Sequence, residues 1–384
     1  MTKTVLYSCY LPLLKMLERH GEAKITLNLT GSLLLQLSKL GAGEFFWGMR
    51  RLMDRGQIEL VNCPVHHPVV PITPGRVVLR QLVKNTKVMK ETLGVELAEG
   101  AGIFLPELAV NEEAIKTLSN LDVKPKYVVV DETAVGGGYR PVVRWQGITL
   151  IVNRREVCEV IRSYPTRLKA DRLVAWVKDQ MGVNDTWVVV NDAELYGHHY
   201  EERGELLDGL LGGGEFEFIG LSETVGGVEA EKIDRVKPST WQSGESGAGA
   251  FDLWADEDNP LQQKYLDLGR WAAEAFERAG DKLEGRMKEA AQEHLDQGWS
   301  SCNLYWLSNT PWWHPDLVER GANNLIRCIR TLPLPFEEKA AAEEKYHALL
   351  RDVWQYHWSG EVEKKYAQYN QERKKWLDAL PKLG

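Results

Sequence analysis

The stretch Thr186-Trp187-Val188-Val189-Val190-Asn191-Asp192-Ala193-Glu194-Leu195-Tyr196-Gly197-His198-His199-Tyr200 passes from hydrocarbon to ionisable groups within a few residues. Trp187 to Val190 is β-branched and aromatic without polar alternation, which predicts a strand covered on both faces, as in parallel sheets and α/β barrels. Asp192 and Glu194 follow its carboxyl end, where such folds place their chemistry. Strands also end in Asp or Asn simply to turn, so the stretch gains meaning only by repetition.

It does repeat. Ile58 to Val61 leads to Asn62-Cys63-Pro64-Val65-His66-His67-Pro68, Gly102-Ile103-Phe104-Leu105-Pro106 to Glu107, and Tyr127-Val128-Val129-Val130 to Asp131-Glu132. Lys24 to Thr30 reads as an earlier strand and Phe216 to Ile219 as the last. Apolar residues at helical spacing predict helices over Tyr10–Glu18, Leu33–Leu40, Glu44–Arg55, Pro74–Leu93, Glu112–Leu118, Ala170–Gln180 and Glu201–Leu211. Alternating β and α units with polar residues at successive strand ends predict a parallel sheet or barrel. Between Thr133 and Tyr164 a loop excursion over the mouth is expected, with a short pair at Pro141–Arg144 and Ile148–Val152.

From about Lys237 the character changes. A Gly and Ser-rich stretch, Ser243 to Gly249, precedes a continuous helix over Leu261–Leu295, a second after Pro315, and a third from Phe336 to about Leu380 with a break at Ser359-Gly360. Long helices without strands predict a helical unit packed beside the first. The division is 1–236 and 237–384.

Composition narrows the classes. A formal net charge of −8 argues against a nucleic-acid surface. Five scattered cysteines with no Cys-x-x-Cys pair suggest neither a disulfide framework nor a thiolate zinc site, and fit a reducing cytoplasm. No run approaches the roughly 20 apolar residues of a membrane span, and no signal-peptide pattern opens the chain. No phosphate-binding glycine motif is present, so no nucleotide cofactor is expected. Fourteen tryptophans, with Trp299, Trp306, Trp312 and Trp313 in one segment, suit either core packing or stacking on sugar rings. Pro311, before Trp312, favours a platform.

Three features bear on chemistry. Pro106 holds the backbone before it extended, which fixes Glu107 at a strand exit. The doublets His66-His67 and His198-His199 can ligate a metal, orient hydroxyls or pack. Adjacent histidines point apart, so a metal would take at most one from each doublet, and no His-x-x-x-His pattern exists.

Taken in order, these segments resemble glycoside hydrolase family 57, over roughly Tyr10 to Arg330. Gly56-Gln57-Ile58-Glu59-Leu60 through His66-His67-Pro68 is similar to the family's second motif. Gly102 to Glu107 resembles the third, and Asn191-Asp192-Ala193-Glu194-Leu195-Tyr196-Gly197-His198-His199 the fourth. Ser239-Thr240-Trp241 and Phe251-Asp252-Leu253-Trp254 resemble a later substrate-facing segment. Ser301-Cys302-Asn303-Leu304-Tyr305-Trp306 with Trp312-Trp313 is similar to the helical stretch that closes over the sugar.

The resemblance implies an incomplete seven-stranded β/α barrel with a C-terminal helical domain, and a retaining enzyme of α-glucans, either hydrolase or glucanotransferase. Glu107 would be the nucleophile and Asp192 the general acid/base. His66, His67, Asp131, Glu194, His198, Trp241, Trp306, Trp312 and Trp313 would face the substrate. No metal or cofactor is implied, and a homo-oligomer is compatible. Family members usually begin with a strand bearing His-Gln-Pro, which nothing before Val5 supplies. The resemblance therefore implies a late start or a shortened member with impaired or lost catalysis, and the open edge left on the strand Lys24 to Thr30 should either make the chain poorly soluble or be met by another element or subunit. Two alternatives stand beside this reading. One is a metal-dependent polysaccharide deacetylase-like hydrolase on a related barrel, using Asp131 and one histidine of each doublet. The other is a non-catalytic α-glucan-binding protein.

Overall fold

A computed structural model of the protein describes residues 1–164, 167–182, 185–243, 249–309 and 312–378. Within them β and α units alternate as the apolar periodicity requires. The strands are β1 (Ile25–Asn28), β2 (Ile58–Val61), β3 (Ile103–Phe104), β4 (Val128–Asp131), β5 (Val142–Trp145), β6 (Ile148–Asn153) and β7 (Glu231–Lys232). β1 and β2 pair in parallel, with Ile25 opposite Ile58. A five-stranded sheet runs β3-β4-β6-β5-β7, and a parallel bridge between Asn62 and Ile103 joins the two sheets. The parallel strands form an arc, β1-β2-β3-β4-β6. Among the described residues the strand pairing does not close into a ring.

The alternation along each strand sorts the core into two layers. Ile103, Val128, Val130, Leu150 and Val152 face the helices Gly75–Leu93 and Glu112–Leu118 through one apolar cluster. Val61, Phe104, Tyr127, Val129 and Ile151 point the other way and meet Val188, which gives a second cluster with members from four parallel strands. Period-two geometry produces this division.

The predicted helices Glu112–Leu118 and Ala170–Gln180 match residue for residue, and Gly31–Lys39, Gly43–Asp54, Gly75–Leu93 and Glu202–Gly212 lie within two residues of expectation. Three strand assignments are corrected. Ile148–Val152 belongs to no excursion: β6 is a central parallel strand, in register with β4 from Val128–Leu150 to Asp131–Asn153. It also forms a hairpin with β5 through Gln146 and Gly147, both at positive φ (46° and 85°), the geometry of tight two-residue hairpin turns. Trp187–Val190 forms no strand and, among the described residues, makes one bridge, Val188 to Asn153. Side chains replace its ladder: the Tyr139 hydroxyl accepts from Val188 N–H at 2.7 Å and Asn153 Oδ1 from Val190 N–H at 2.9 Å. Phe216–Ile219 is not a strand either. Its Phe218 carbonyl accepts from Lys24 N–H at 3.0 Å, and Leu221 N–H donates to Thr26 Oγ1 at 3.0 Å, so this segment meets the free edge of β1.

The second half is helical, with one correction. The continuous helix expected over Leu261–Leu295 is two helices, Pro260–Ala279 and Gly285–Gly298, separated by a short turn and by Gly285 at φ 49°. The expected break between Phe336–Trp358 and Glu361–Asp378 is present, with Gly360 at φ 80°. The end expected at Leu380, Pro311, and Gly244–Ala248 of the Gly and Ser-rich stretch lie outside the described residues. The helices Pro260–Ala279, Gly285–Gly298, Pro315–Thr331 and Phe336–Trp358 share one core that takes in Val69, Val77 and Ala109 from beyond the ends of β2 and β3. Buried Asp296 adds a polar tie, with Arg80 at 2.7 Å and Lys84 at 3.5 Å. The helical unit is thus seated on the exits of the parallel strands.

Among the described residues, no helix is long and apolar enough to cross a membrane.

Candidate active site

Glu107 leaves β3 on a short turn, Pro106–Leu108, after Leu105 in extended backbone (φ −85°, ψ 125°), the conformation expected before proline. Glu107 itself has φ 62° and ψ 13°, a left-handed conformation uncommon for a side-chain-bearing residue and frequent where function fixes geometry. Two donors hold its carboxylate. Trp241 Nε1–H donates to Oε2 at 3.0 Å and Ser301 O–H to Oε1 at 3.2 Å. His67 Nδ1 lies 3.1 Å from Ser301 Oγ and 3.8 Å from Glu107 Oε1. Since the Ser301 proton points to the carboxylate, the chain of bonds runs from His67 Nδ1–H to Ser301 to Glu107.

These donors come from three places and each is anchored. Trp241 N–H also donates to the Glu107 carbonyl at 3.0 Å, and Ser301 N–H to the His67 carbonyl at 2.9 Å. The loop carrying Trp241 is tied down by Arg155, whose guanidinium donates to the carbonyls of Thr240 and Ser243 and pairs with Asp131 at 2.8 Å. The Asp131 carboxylate is fully buried. It also accepts from Thr133 N–H (3.1 Å), Thr133 O–H (2.8 Å) and Asn153 Nδ2 (3.2 Å). With Arg155 on one oxygen and Asn153 on the other, Asp131 is a scaffold residue and a poor candidate for a metal ligand. No group of three or more metal-ligating side chains occurs among the described residues.

Asp192 and Glu194 flank the start of a short turn, Ala193–Leu195. The Glu194 carboxylate accepts from the Tyr10 phenol, and its carbonyl accepts the N–H groups of His198 (3.2 Å) and His199 (2.9 Å). No donor reaches the Asp192 carboxyl among the described residues. Asp192 is open to solvent although protein surrounds it on most sides, the situation of a side chain lining a cleft.

Electrostatics joins these groups into one site. Burial pushes the Glu107 carboxyl up to about 7, against the pull of Trp241 and Ser301. Lost hydration in the cleft, then the negative charges of Glu194 and Glu107, push Asp192 up to about 7, with the Arg162 guanidinium opposing. Burial lowers His67 to about 4, with the Glu194 charge opposing, so its imidazole is neutral near pH 7.

The other expected residues divide. His66 turns away from Glu107 and pairs with Glu293 at 3.2 Å. His198 packs against His199, ring centroids 5.2 Å apart. Trp306 contacts Trp312 edge-on at 5.7 Å, and Trp313 packs on Tyr356 at 5.0 Å. Trp312 is exposed, and no described contact joins these three rings to Glu107. Sequence reasoning missed two members. Ser301 lay inside a quoted motif without a role, and Tyr10 sat on a helix whose pattern reads as packing. Asn28, at the end of β1, is a third candidate: its buried Oδ1 has no hydrogen-bond partner among the described residues, unusual for a polar atom out of water.

The sequence profile of Glycosyl hydrolase family 57 matches residues 5–240. "Alpha-amylase 1" of Dictyoglomus thermophilum is 29% identical over 123 residues, 32% of this chain and 17% of that enzyme. The chain therefore aligns with less than a fifth of that relative. Among solved structures, the GH57-type branching enzyme of Pyrococcus horikoshii superposes with a TM-score of 0.67 at 15% identity, over 91% of both chains. The 4-α-glucanotransferase of Thermococcus litoralis gives 0.60 at 17% identity, over 86% of this chain and 57% of that one.

Proposed function

The chain belongs to glycosyl hydrolase family 57, and from that premise we propose that it acts on α-glucans with retention of configuration, Glu107 as nucleophile and Asp192 as general acid and then base. One observation carries the assignment of roles: the two carboxyls share a site that raises both, yet only Glu107 has donors aimed at it. Hydrogen bonds to a carboxylate favour its charged form, and nearby negative charge favours the proton. The single proton held near neutral pH therefore resides on Asp192, leaving Glu107 ionised for attack.

In the first step Glu107 attacks the anomeric carbon while Asp192 gives its proton to the departing glycosidic oxygen. In the second, Asp192 takes a proton from water or a sugar hydroxyl, which displaces Glu107. This double displacement works with carboxyls about 5–5.5 Å apart. Tryptophan faces suit sugar rings, and Trp312 offers one at the surface. The inner cluster drawn from successive strands supports reading the arc as part of a β/α barrel, with residues 1–236 as its body and 237–384 as a helical unit above the site. The deacetylase alternative loses support because Asp131 is saturated by Arg155, Thr133 and Asn153.

The test is covalent trapping. Incubated with a fluorinated α-glucosyl fluoride, whose intermediate hydrolyses slowly, the protein should gain one sugar mass on the peptide containing Glu107. Turnover of a maltooligosaccharide with no adduct there, or an adduct elsewhere, overturns the assignment.

A further inference from the structure

The first residues of the chain lie against the loop that carries Asp192. Leu6–Tyr10 forms a π-helical turn, closed by Leu11 N–H on the Leu6 carbonyl, and leads directly into the helix Leu11–Arg19. A π-turn inserts one extra residue and so rotates the side chains before it relative to those after it, a device frequent at functional sites. Here it leaves Leu11, Leu14 and Leu17 in the apolar core while the Tyr10 phenol donates to Glu194 Oε1. Cys9 S–H donates to the Ala193 carbonyl at 2.8 Å. Gly197, at φ 118°, lets the two backbones touch: a Cβ there would lie 2.4 Å from the Ser8 carbonyl oxygen. Three successive residues of the turn thus each meet the segment 193–197.

We propose that Tyr10 is a positioning residue of the catalytic loop, acting through Glu194 to hold that carboxylate fixed beside Asp192. The phenol is suited to the task. Burial and the Glu194 charge push its ionisation well above the usual tyrosine range, so it remains a donor throughout the working pH. After lost hydration, the Glu194 charge is the largest influence that raises Asp192, and a carboxylate no longer held by the phenol can swing away from it, which weakens that influence. The other charges facing this pair are Glu107 from the β3 exit and Arg162 from the helix Arg155–Ser163. His67, from the β2 exit, is neutral. None of them contacts the phenol, so its removal changes one link only. Tyr10 never touches substrate in this scheme.

The inference rests on the roles given to Asp192 and Glu107, and its test separates from theirs. Tyr10→Phe keeps the ring against Phe45, 6.1 Å between centroids, and deletes only the donor. The alkaline limb of the kcat–pH profile, set by loss of the Asp192 proton, should move down by roughly half to one pH unit. Aspartate labelled with 13C at the carboxyl, with the Asp192 signal assigned by Asp192→Asn, should show the same downward shift without any turnover. Gly197→Ala, which wedges the loop off the Ser8 carbonyl, should shift that signal in the same direction if Tyr10→Phe does not fold. An unchanged Asp192 titration in whichever variant folds overturns the proposal. Absence of α-glucan turnover in the unmutated protein sinks the catalytic reading instead, and the titration still decides this one.

Discussion

The two sides of the cleft hold the same functional group in opposite ways. Glu107 is enclosed, its side chain 18% exposed, and receives an indole N–H and a serine O–H that are themselves braced by Arg155 and His67. Asp192 stands open, without a donor among the described residues, beside an acidic neighbour that is itself held from behind by Tyr10. Both carboxyls are pushed up to about 7, and what differs between them among the described residues is the donors, which reach Glu107 alone of the two. The roles proposed for the two carboxyls fit this difference: enclosure suits a nucleophile, and openness suits an acid that must reach a leaving group.

The comparison breaks most visibly by neutralising each side. If Glu107 is the nucleophile proposed, Glu107→Gln should reduce turnover of α-glucan by about 10⁴-fold or more, since the amide cannot replace it. Asp192→Asn should cost about 10²–10⁴-fold, and most of that loss should vanish with a glucosyl fluoride, whose departure needs no proton, in the first step. Equal loss on both substrates in both variants, measured by initial rates, would show that the two carboxyls do not divide the work.

A smaller effect sharpens the contrast. Trp241→Phe removes one donor from Glu107, so its pKa rises further and the acid limb of the kcat/KM profile moves up by about half to one unit. This mirrors the downward move of the alkaline limb expected for Tyr10→Phe. An acid limb that stays in place would show that Ser301 alone sets the Glu107 charge.

The smallest effect is on stability. A carboxyl raised to about 7 in the folded state favours folding below its unfolded value near 4.5, and that contribution is lost as pH rises through about 7. Glu107→Gln should therefore raise Tm by a few degrees at pH 8, with the gain shrinking toward pH 4. Thermal melts across that range check the sign. A gain larger at pH 4 than at pH 8 would contradict the burial of an ionised Glu107.

The helices were legible because a buried stripe at 3.6-residue spacing is a local property, and the carboxylates because apolar runs ended in them three times. The strand Ile148–Asn153 was not. A central parallel strand and a hairpin arm both read as short apolar runs, and the Gln146-Gly147 turn drew attention to the hairpin alone. Trp187–Val190 erred the other way: its composition suits a strand, yet Tyr139 and Asn153 side chains take the bonds a ladder would have made. Asp131 carried the same signature as Glu107, an acid after an apolar run, and only its partners in the fold, Arg155, Thr133 and Asn153, mark it as a brace. Tyr10 gave no signal, since the partner that gives it meaning lies 184 residues away.

That separation in the chain has a consequence for how the protein comes into being. Synthesis proceeds from the amino end, and Glu107 receives its two donors from Trp241 and Ser301. A ribosome that has reached residue 250 has already made both carboxyls, the Tyr10 turn and the indole, yet Glu107 still lacks its serine and His67 its hydrogen-bond partner. The nascent molecule would hold the outline of the cleft with its charge not yet in order. The carboxylate of Glu107 gains its second donor only when the helical unit settles onto the strand exits.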